Sequence, residues 1–234
     1  MPKIKTKRED VLRNNEVDEM LQKLSGKDVI RGEYETTLHD KPITQTFNIP
    51  CRMTECLIAL LWLFGKRIRE VLKLKRKDVW ARGNSLYVRF HVLKKKSRED
   101  EAIPKRYLKR ITLENPYTKY VLGYVKAIKD PETYLFHGRS KDRVRKVKMK
   151  KKVYVYHLKN EGMMSPEKAW KIIKFLNPKA WCHLFRHSIA TQMAEEGATE
   201  DELMDWFDWS RSDTAHDYVK RGPRLIEKWA NRRW

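Results

Sequence analysis

Between Asn15 and Leu24 (NEVDEMLQKL) apolar side chains return every three or four positions, which predicts a short amphipathic helix. Residues 25–50 lose that rhythm. Gly26, Gly32, Pro42 and Pro50 interrupt them, and the segment is expected to be irregular. A dense apolar run then predicts a buried helix over roughly Arg52 to Phe64, closed by Gly65 in the left-handed cap position. A second helix is expected at once, over Lys66 to Leu74. Residues 85–93 (SLYVRFHVL), rich in β-branched and aromatic side chains, predict a strand; 94–100 (KKKSRED) a turn; and 101–104 (EAIP) the return strand.

Downstream the pattern is again helical. Helices are expected over Thr118–Lys129, over Ser165–Leu176 with Ser165 as cap and Pro166 at the first position, and over His183–Glu196 up to Gly197. Thr199 and Glu202 form a capping box for a helix to about Trp206, and a last short helix spans about Asp213 to Lys220. The expected fold class is therefore α+β, mainly α: helices with a small antiparallel β-sheet. There is no internal repeat and no linker rich in Gly, Ser or Pro, so residues 13–222 read as one domain, between a polar arm at 1–12 and a tail at 223–234.

Charge changes this picture most. The 234 residues carry a formal net charge of +21, which points to a polyanionic partner and above all to nucleic acid. Residues 139–152 hold nine Lys or Arg against one Asp. Alone, such a run reads as a solvated loop. Beside the alternating VYVYH at 153–157, it reads as a basic hairpin insertion (139–157) lying on the phosphates of DNA or RNA, with Arg139, Lys141, Arg143, Arg145, Lys146 and Lys148 as the nucleic-acid-binding set. The acidic stretch 195–208 is expected to be a solvated face, or a subunit contact.

No apolar run approaches the roughly 20 residues of a membrane span, and the basic N-terminus has no apolar stretch after it. Cys51, Cys56 and Cys182 are too few and too scattered for a disulfide framework or a zinc site, so no metal is expected and a cytoplasmic location is. Abundant Lys and scarce Gln lean toward a thermophile source.

The candidate chemistry lies in 183–222. His183 and Arg186 sit three apart at a helix start and so share a face. Trp209 follows Arg186 by 23 residues, and Tyr218 follows Trp209 by nine. Upstream, Arg67-Ile68-Arg69-Glu70 leads into a helix carrying Leu72 and Leu74, followed by Asp78.

This pattern resembles the tyrosine recombinases, the phage integrases and Xer-like chromosome-dimer resolvases. Their C-terminal signature is a His-x-x-Arg pair, a Gly-ended helix, a His or Trp, then the Tyr. Their upstream signature is Arg-[Ile/Val]-x-Glu entering a Leu-rich helix. The resemblance covers roughly residues 12–222. It implies a catalytic Lys at a β-hairpin turn, a place for which Lys94, Lys95 and Lys96 compete. Lys94, which ends the strand, is favoured. It also implies double-stranded DNA as substrate, a 3′-phosphotyrosyl intermediate, and work as a tetramer on two DNA sites. A tail at 223–234 would dock on a neighbouring subunit. The N-terminal core-binding domain of most relatives is expected to be absent here.

The residue types suit that chemistry in their own right. Attack on a phosphodiester adds negative charge to the nonbridging oxygens, which the planar forks of Arg67 and Arg186 can clamp. Tyr218 is a weak nucleophile at neutral pH and needs a positive field or a base. His183 can take its proton, a hairpin Lys can protonate the leaving 5′ oxygen, and Trp209 can donate one N–H bond. A tyrosyl ester preserves the energy of the broken bond, so no cofactor, ATP or metal is required. Taken singly, the arginines read as surface ion pairs, Trp209 and Tyr218 as packing residues, His187 and His216 as structural or solvent-facing, and His91 as a strand residue. The rival functions are a relaxing type IB topoisomerase and a DNA-binding relic without catalysis.

Overall fold

The computed structural model describes residues 10–38, 41–91, 106–138, 143–149, 152–158 and 162–220. Its centre is α2, Cys51–Phe64, in which only Arg52 and Glu55 escape full burial. A helix apolar on every side must lie inside a shell of other elements. Here the shell includes α1 (Asn14–Gln22), α4 (Thr118–Ala127) and α6 (Cys182–Glu195). Each fully buried Leu of α2 contributes about 1.5–3 kcal/mol relative to exposure. Helix α1 buries Val17, Met20 and Leu21, and is strapped across the body by polar bonds: Leu12 N–H donates to Ser188 Oγ at 2.7 Å and Trp62 Nε1 to Asn14 Oδ1 at 3.2 Å.

The segment expected to be irregular is instead a hairpin, β1 (Val29–Leu38) paired antiparallel with β2 (Lys41–Pro50). Its breakers are tolerated for identifiable reasons. The Phe47 ring crosses Gly32 so closely that a Cβ there would lie 2.8 Å from Phe47 Cζ. Pro50 ends the strand and serves as N-cap of α2. Pro42 lies in a two-stranded sheet, where every strand has a free edge for a residue lacking an N–H. The hairpin rests on α5 (Pro166–Leu176) through edge-on contacts of Tyr34 with Trp170 and Phe47 with Phe175.

Gly65 ends α2 at φ 56°, donating its N–H to Leu61 O at 3.0 Å. The next helix, α3, is shorter than expected, Ile68–Leu72, because Lys66 and Arg67 remain outside it. After a 3-10 turn at Arg76–Asp78, β3 (Val79–Arg82), β4 (Ser85–His91) and β5 (Arg106–Thr112) form one antiparallel sheet in that order. The return strand is therefore 106–112, with Ser85 opposite Thr112 and His91 opposite Arg106. The expected return strand at 101–104 lies outside the described residues.

The basic segment contains a hairpin, β6 (Arg143–Met149) paired with β7 (Lys152–Leu158), as the alternation predicts. The capped helices also form as expected: Ser165 Oγ accepts from Lys168 N at 3.2 Å, and Thr199 and Glu202 exchange bonds at the start of α7 (Glu200–Phe207). Helix α8, Ser212–Val219, completes the fold by packing with α6 and α7 around Ala190, Leu203, Phe207 and Ala215. Among the described residues, no helix is long and apolar enough to cross a membrane, and all three cysteines are buried and free.

Gly65→Ala is expected to be costly. Its φ is unfavourable for any residue with a Cβ, and that Cβ would lie 2.6 Å from Phe207 Cε1. The two effects together predict a loss of about 2–4 kcal/mol. In urea the unfolding midpoint should fall while the slope stays unchanged.

Candidate active site

The turn after α2 presents Arg67. Its backbone N–H donates to Glu70 Oε2 at 3.0 Å, and its Nη1 lies 2.9 Å from Glu70 Oε1. Glu70 is buried while the Arg67 side chain is about a quarter exposed, so one carboxylate both caps α3 and fixes the guanidinium. The Arg67–Glu70 spacing seen in the sequence has this physical role.

Arg186, on α6, is buried. Its Nη1 donates to Gly65 O at 3.0 Å and its Nη2 to Phe207 O at 2.7 Å. These two bonds leave one further hydrogen on each nitrogen, and the Nε–H as well. The guanidinium lies 4.8 Å from the Phe207 ring centroid and 5.3 Å from that of Trp209. Burial and the neighbouring Arg67 push its pKa down to about 10, against the pull of Glu70, Asp208 and Tyr218. It therefore remains charged at neutral pH. His183 stands exposed at the start of the same helix.

Asp208 ends α7 in the left-handed region, φ 54°, a conformation that Asp tolerates better than most residues. The chain then turns so that Trp209 stacks on Phe207, with centroids 4.9 Å apart, and on Tyr218, 5.4 Å apart and 12° from parallel. Tyr218 Oη lies 2.9 Å from Nδ1 of His187, a histidine 6% exposed. Arg186, Trp209 and Tyr218 thus form a contiguous stack, with Arg67 close enough to act on Arg186 electrostatically.

Four residues were not foreseen. His187, expected to be structural or solvent-facing, is buried and in contact with the Tyr218 hydroxyl. One signal was available: it lies four residues after His183, on the same helix face. Lys66 is fully buried, with Nζ 2.7 Å from Trp206 O and paired with Asp208 Oδ2. Burial pushes its pKa down to about 8, against the attraction of Asp208. Lys109 on β5 is also buried and donates to Asp205 O at 2.6 Å. Asp208 corrects the expectation of a wholly solvated acidic face: Asp201, Glu202 and Asp205 are exposed, but the Asp208 side chain is enclosed by these two lysines. His216 and His91 lie as expected, the first exposed beside Glu200 and the second on β4.

The favoured Lys94, with Lys95 and Lys96, lies outside the described residues, as do Arg139, Lys141 and the tail 223–234. Arg143, Arg145, Lys146 and Lys148 all fall on β6.

Comparison with known proteins bears on this geometry. No curated protein matches the chain. Among solved structures, it is similar to XerH site-specific recombinase bound to difH substrate in a pre-cleavage complex, with TM-score 0.59 and 14% identity over 98% of this chain and 56% of that one. It is similar to XerA recombinase, with TM-score 0.55 and 14% identity over 100% of this chain and 67% of that one. A Tn1549 transposon integrase in complex with a circular intermediate DNA gives TM-score 0.56 and 13% identity, over 100% and 67% respectively. The chain thus spans little more than half the length of XerH. At these identities the likeness is one of fold. A model of the phage integrase family matches residues 36–223, a span that includes both arginines, the Trp209 stack and Tyr218. On that match, the chain belongs to the phage integrase family.

Proposed function

We propose that this chain is a site-specific DNA recombinase that cleaves one strand through Tyr218, holds a 3′-phosphotyrosyl link and passes the strand to a second duplex. The observation that carries this reading is the stack of Arg186, Trp209 and Tyr218, in which a tyrosine hydroxyl on a histidine nitrogen sits within the field of Arg186, itself beside Arg67. A phosphodiester placed there meets charge-assisted donors from Arg67 and Arg186 as its nonbridging oxygens gain charge.

In the step itself, Tyr218 Oη forms a bond to phosphorus and the bond to the 5′ oxygen breaks. The phenolic proton passes to His187 Nδ1, its contact partner in this geometry, in place of the His183 expected from the motif. His183, exposed at the helix start, is left to bind a phosphate oxygen, and Trp209 Nε1 donates to another. Lys94 protonates the leaving 5′ oxygen. A 5′ hydroxyl then attacks the tyrosyl ester and releases Tyr218. Since the ester stores the energy of the original bond, neither ATP nor metal takes part.

Duplex DNA is the partner, held by the excess positive charge and by the hairpin carrying Arg143, Arg145, Lys146 and Lys148. That XerH and the Tn1549 integrase were solved with DNA supports this. Assembly is as a tetramer on two sites, within the cytoplasm of a prokaryote or from a viral element.

Nicked DNA carrying candidate core sites tests the nucleophile. Wild type should give an adduct on a denaturing gel, and Tyr218→Phe none, with DNA affinity changed less than about twofold. An adduct with the Phe variant would remove Tyr218 from the mechanism; no adduct with wild type on any bound substrate would favour a non-catalytic DNA-binding protein. Arg186→Lys, which cannot keep both carbonyl bonds and still offer a fork, should slow adduct formation at least about 100-fold. Affinity measured against salt should fall steeply, with the slope easing by roughly one for each phosphate-contacting residue neutralised on β6. A flat dependence would rule out phosphate contacts.

A further inference from the structure

The end of α7 is held by an unusual number of buried cations. Its last three carbonyl groups each meet a different one: Asp205 O takes Lys109 Nζ at 2.6 Å, Trp206 O takes Lys66 Nζ at 2.7 Å, and Phe207 O takes Arg186 Nη2 at 2.7 Å. The free carbonyls of a helix C-terminus carry partial negative charge, so cations belong there. Three of them, buried and drawn from β5, the α2–α3 turn and α6, exceed what capping one eight-residue helix requires.

The carboxylate among them is Asp208. Its side chain is 2% exposed, its Oδ2 pairs with Lys66, and its Oδ1 lies 3.8 Å from Lys109 Nζ. Asp208 is also the left-handed residue that turns the chain from α7 into Trp209, and Trp209 stacks on Tyr218. Lys66, for its part, is the residue immediately before Arg67. A single buried ion pair therefore joins the segment bearing one active-site arginine to the segment bearing the nucleophile.

Stability alone is a poor reason for such a pair. Two charges taken out of water seldom gain more than well-packed apolar side chains of the same volume would. A buried ion pair is costly to break by moving either partner, which suits it to hold two backbones in one arrangement.

We propose that Lys66 and Asp208, assisted by Lys109, are positioning residues that set the α7–α8 turn, and with it Trp209 and Tyr218, against Arg67 and Arg186. Neither Lys66 nor Asp208 touches the reacting atoms; each acts through the backbone it holds. The catalytic consequence rests on the recombinase reading above, while the positioning itself does not.

The test is Lys66→Met/Asp208→Asn, which removes both charges, nearly conserves volume and keeps a residue tolerant of the left-handed conformation at 208. Three quantities are measured on the full chain: thermal midpoint, amide hydrogen exchange over residues 209–219, and, on nicked DNA, the adduct-forming rate beside DNA affinity. The expected result is a midpoint within a few degrees of wild type, exchange at least about tenfold faster in 209–219 alone, and adduct formation at least about tenfold slower at unchanged affinity. A purely structural role would move the midpoint and leave the rate of the folded protein alone. Unchanged exchange in 209–219, or an unchanged rate where wild type reacts, overturns the proposal. Asp208→Asn alone, read in the same way, decides the matter if the double variant does not fold. A wild type that never forms an adduct defeats the recombinase reading, and the exchange data still decide whether the pair positions the turn.

Discussion

Two hydrogen bonds from one buried guanidinium hold this molecule's working parts together. Arg186 reaches Gly65 O, 121 residues earlier in the chain, and Phe207 O, 21 residues later. The first marks the end of the central helix and the start of the turn that presents Arg67. The second marks the end of the helix that leads, through Asp208 and Trp209, to Tyr218. Both carbonyls come from helix ends, where no intrahelical N–H is left to satisfy them. Arg186 can therefore hold two segments rigidly because two helices stop beside it.

The choice of partners matters as much as the bonds. Carbonyl oxygens fix a guanidinium without neutralising it, whereas a carboxylate would cancel its charge. Of the acids near the site, Asp208 pairs with Lys66, and Glu70 pairs with Arg67 and caps α3, so neither carboxylate bonds Arg186. Burial of this many cations with so few anions is costly, and the lowered pKa values of Lys66 and Arg186 record that cost.

The same arrangement accounts for the aromatic stack. Trp209 stacks with both Phe207 and Tyr218, and Arg186 lies over the Phe207 and Trp209 rings. A cation over an aromatic face is attracted by the ring's quadrupole, so the stack both supports the guanidinium and aligns the helix of Tyr218 with it. His187 then holds the Tyr218 hydroxyl from the helix that also supplies Arg186.

Much of this was legible in the sequence because it depends on neighbours in the chain. The central helix and its glycine stop, the Ser165 and Thr199 caps, the Arg67–Glu70 pair and the basic hairpin all follow from local periodicity, local hydrogen bonding or alternation. The order of Arg67, Arg186, Trp209 and Tyr218 was legible too, as a motif. The rest was decided by residues distant in sequence. The hairpin β1–β2 does alternate, with Ile30, Tyr34, Phe47 and Ile49 turned inward, but its breakers obscure the pattern and are acceptable only because of Phe47 and free sheet edges. The return strand β5 was set by pairing register rather than by its own composition. Nothing local marks Lys66, Lys109 or Asp208 as buried, since a charged side chain enters a core only when another part of the chain brings its partner there. His187 likewise gained its contact only when α6 and α8 packed together. Local chemistry named the candidate site residues, and tertiary packing determined which other groups hold them in place.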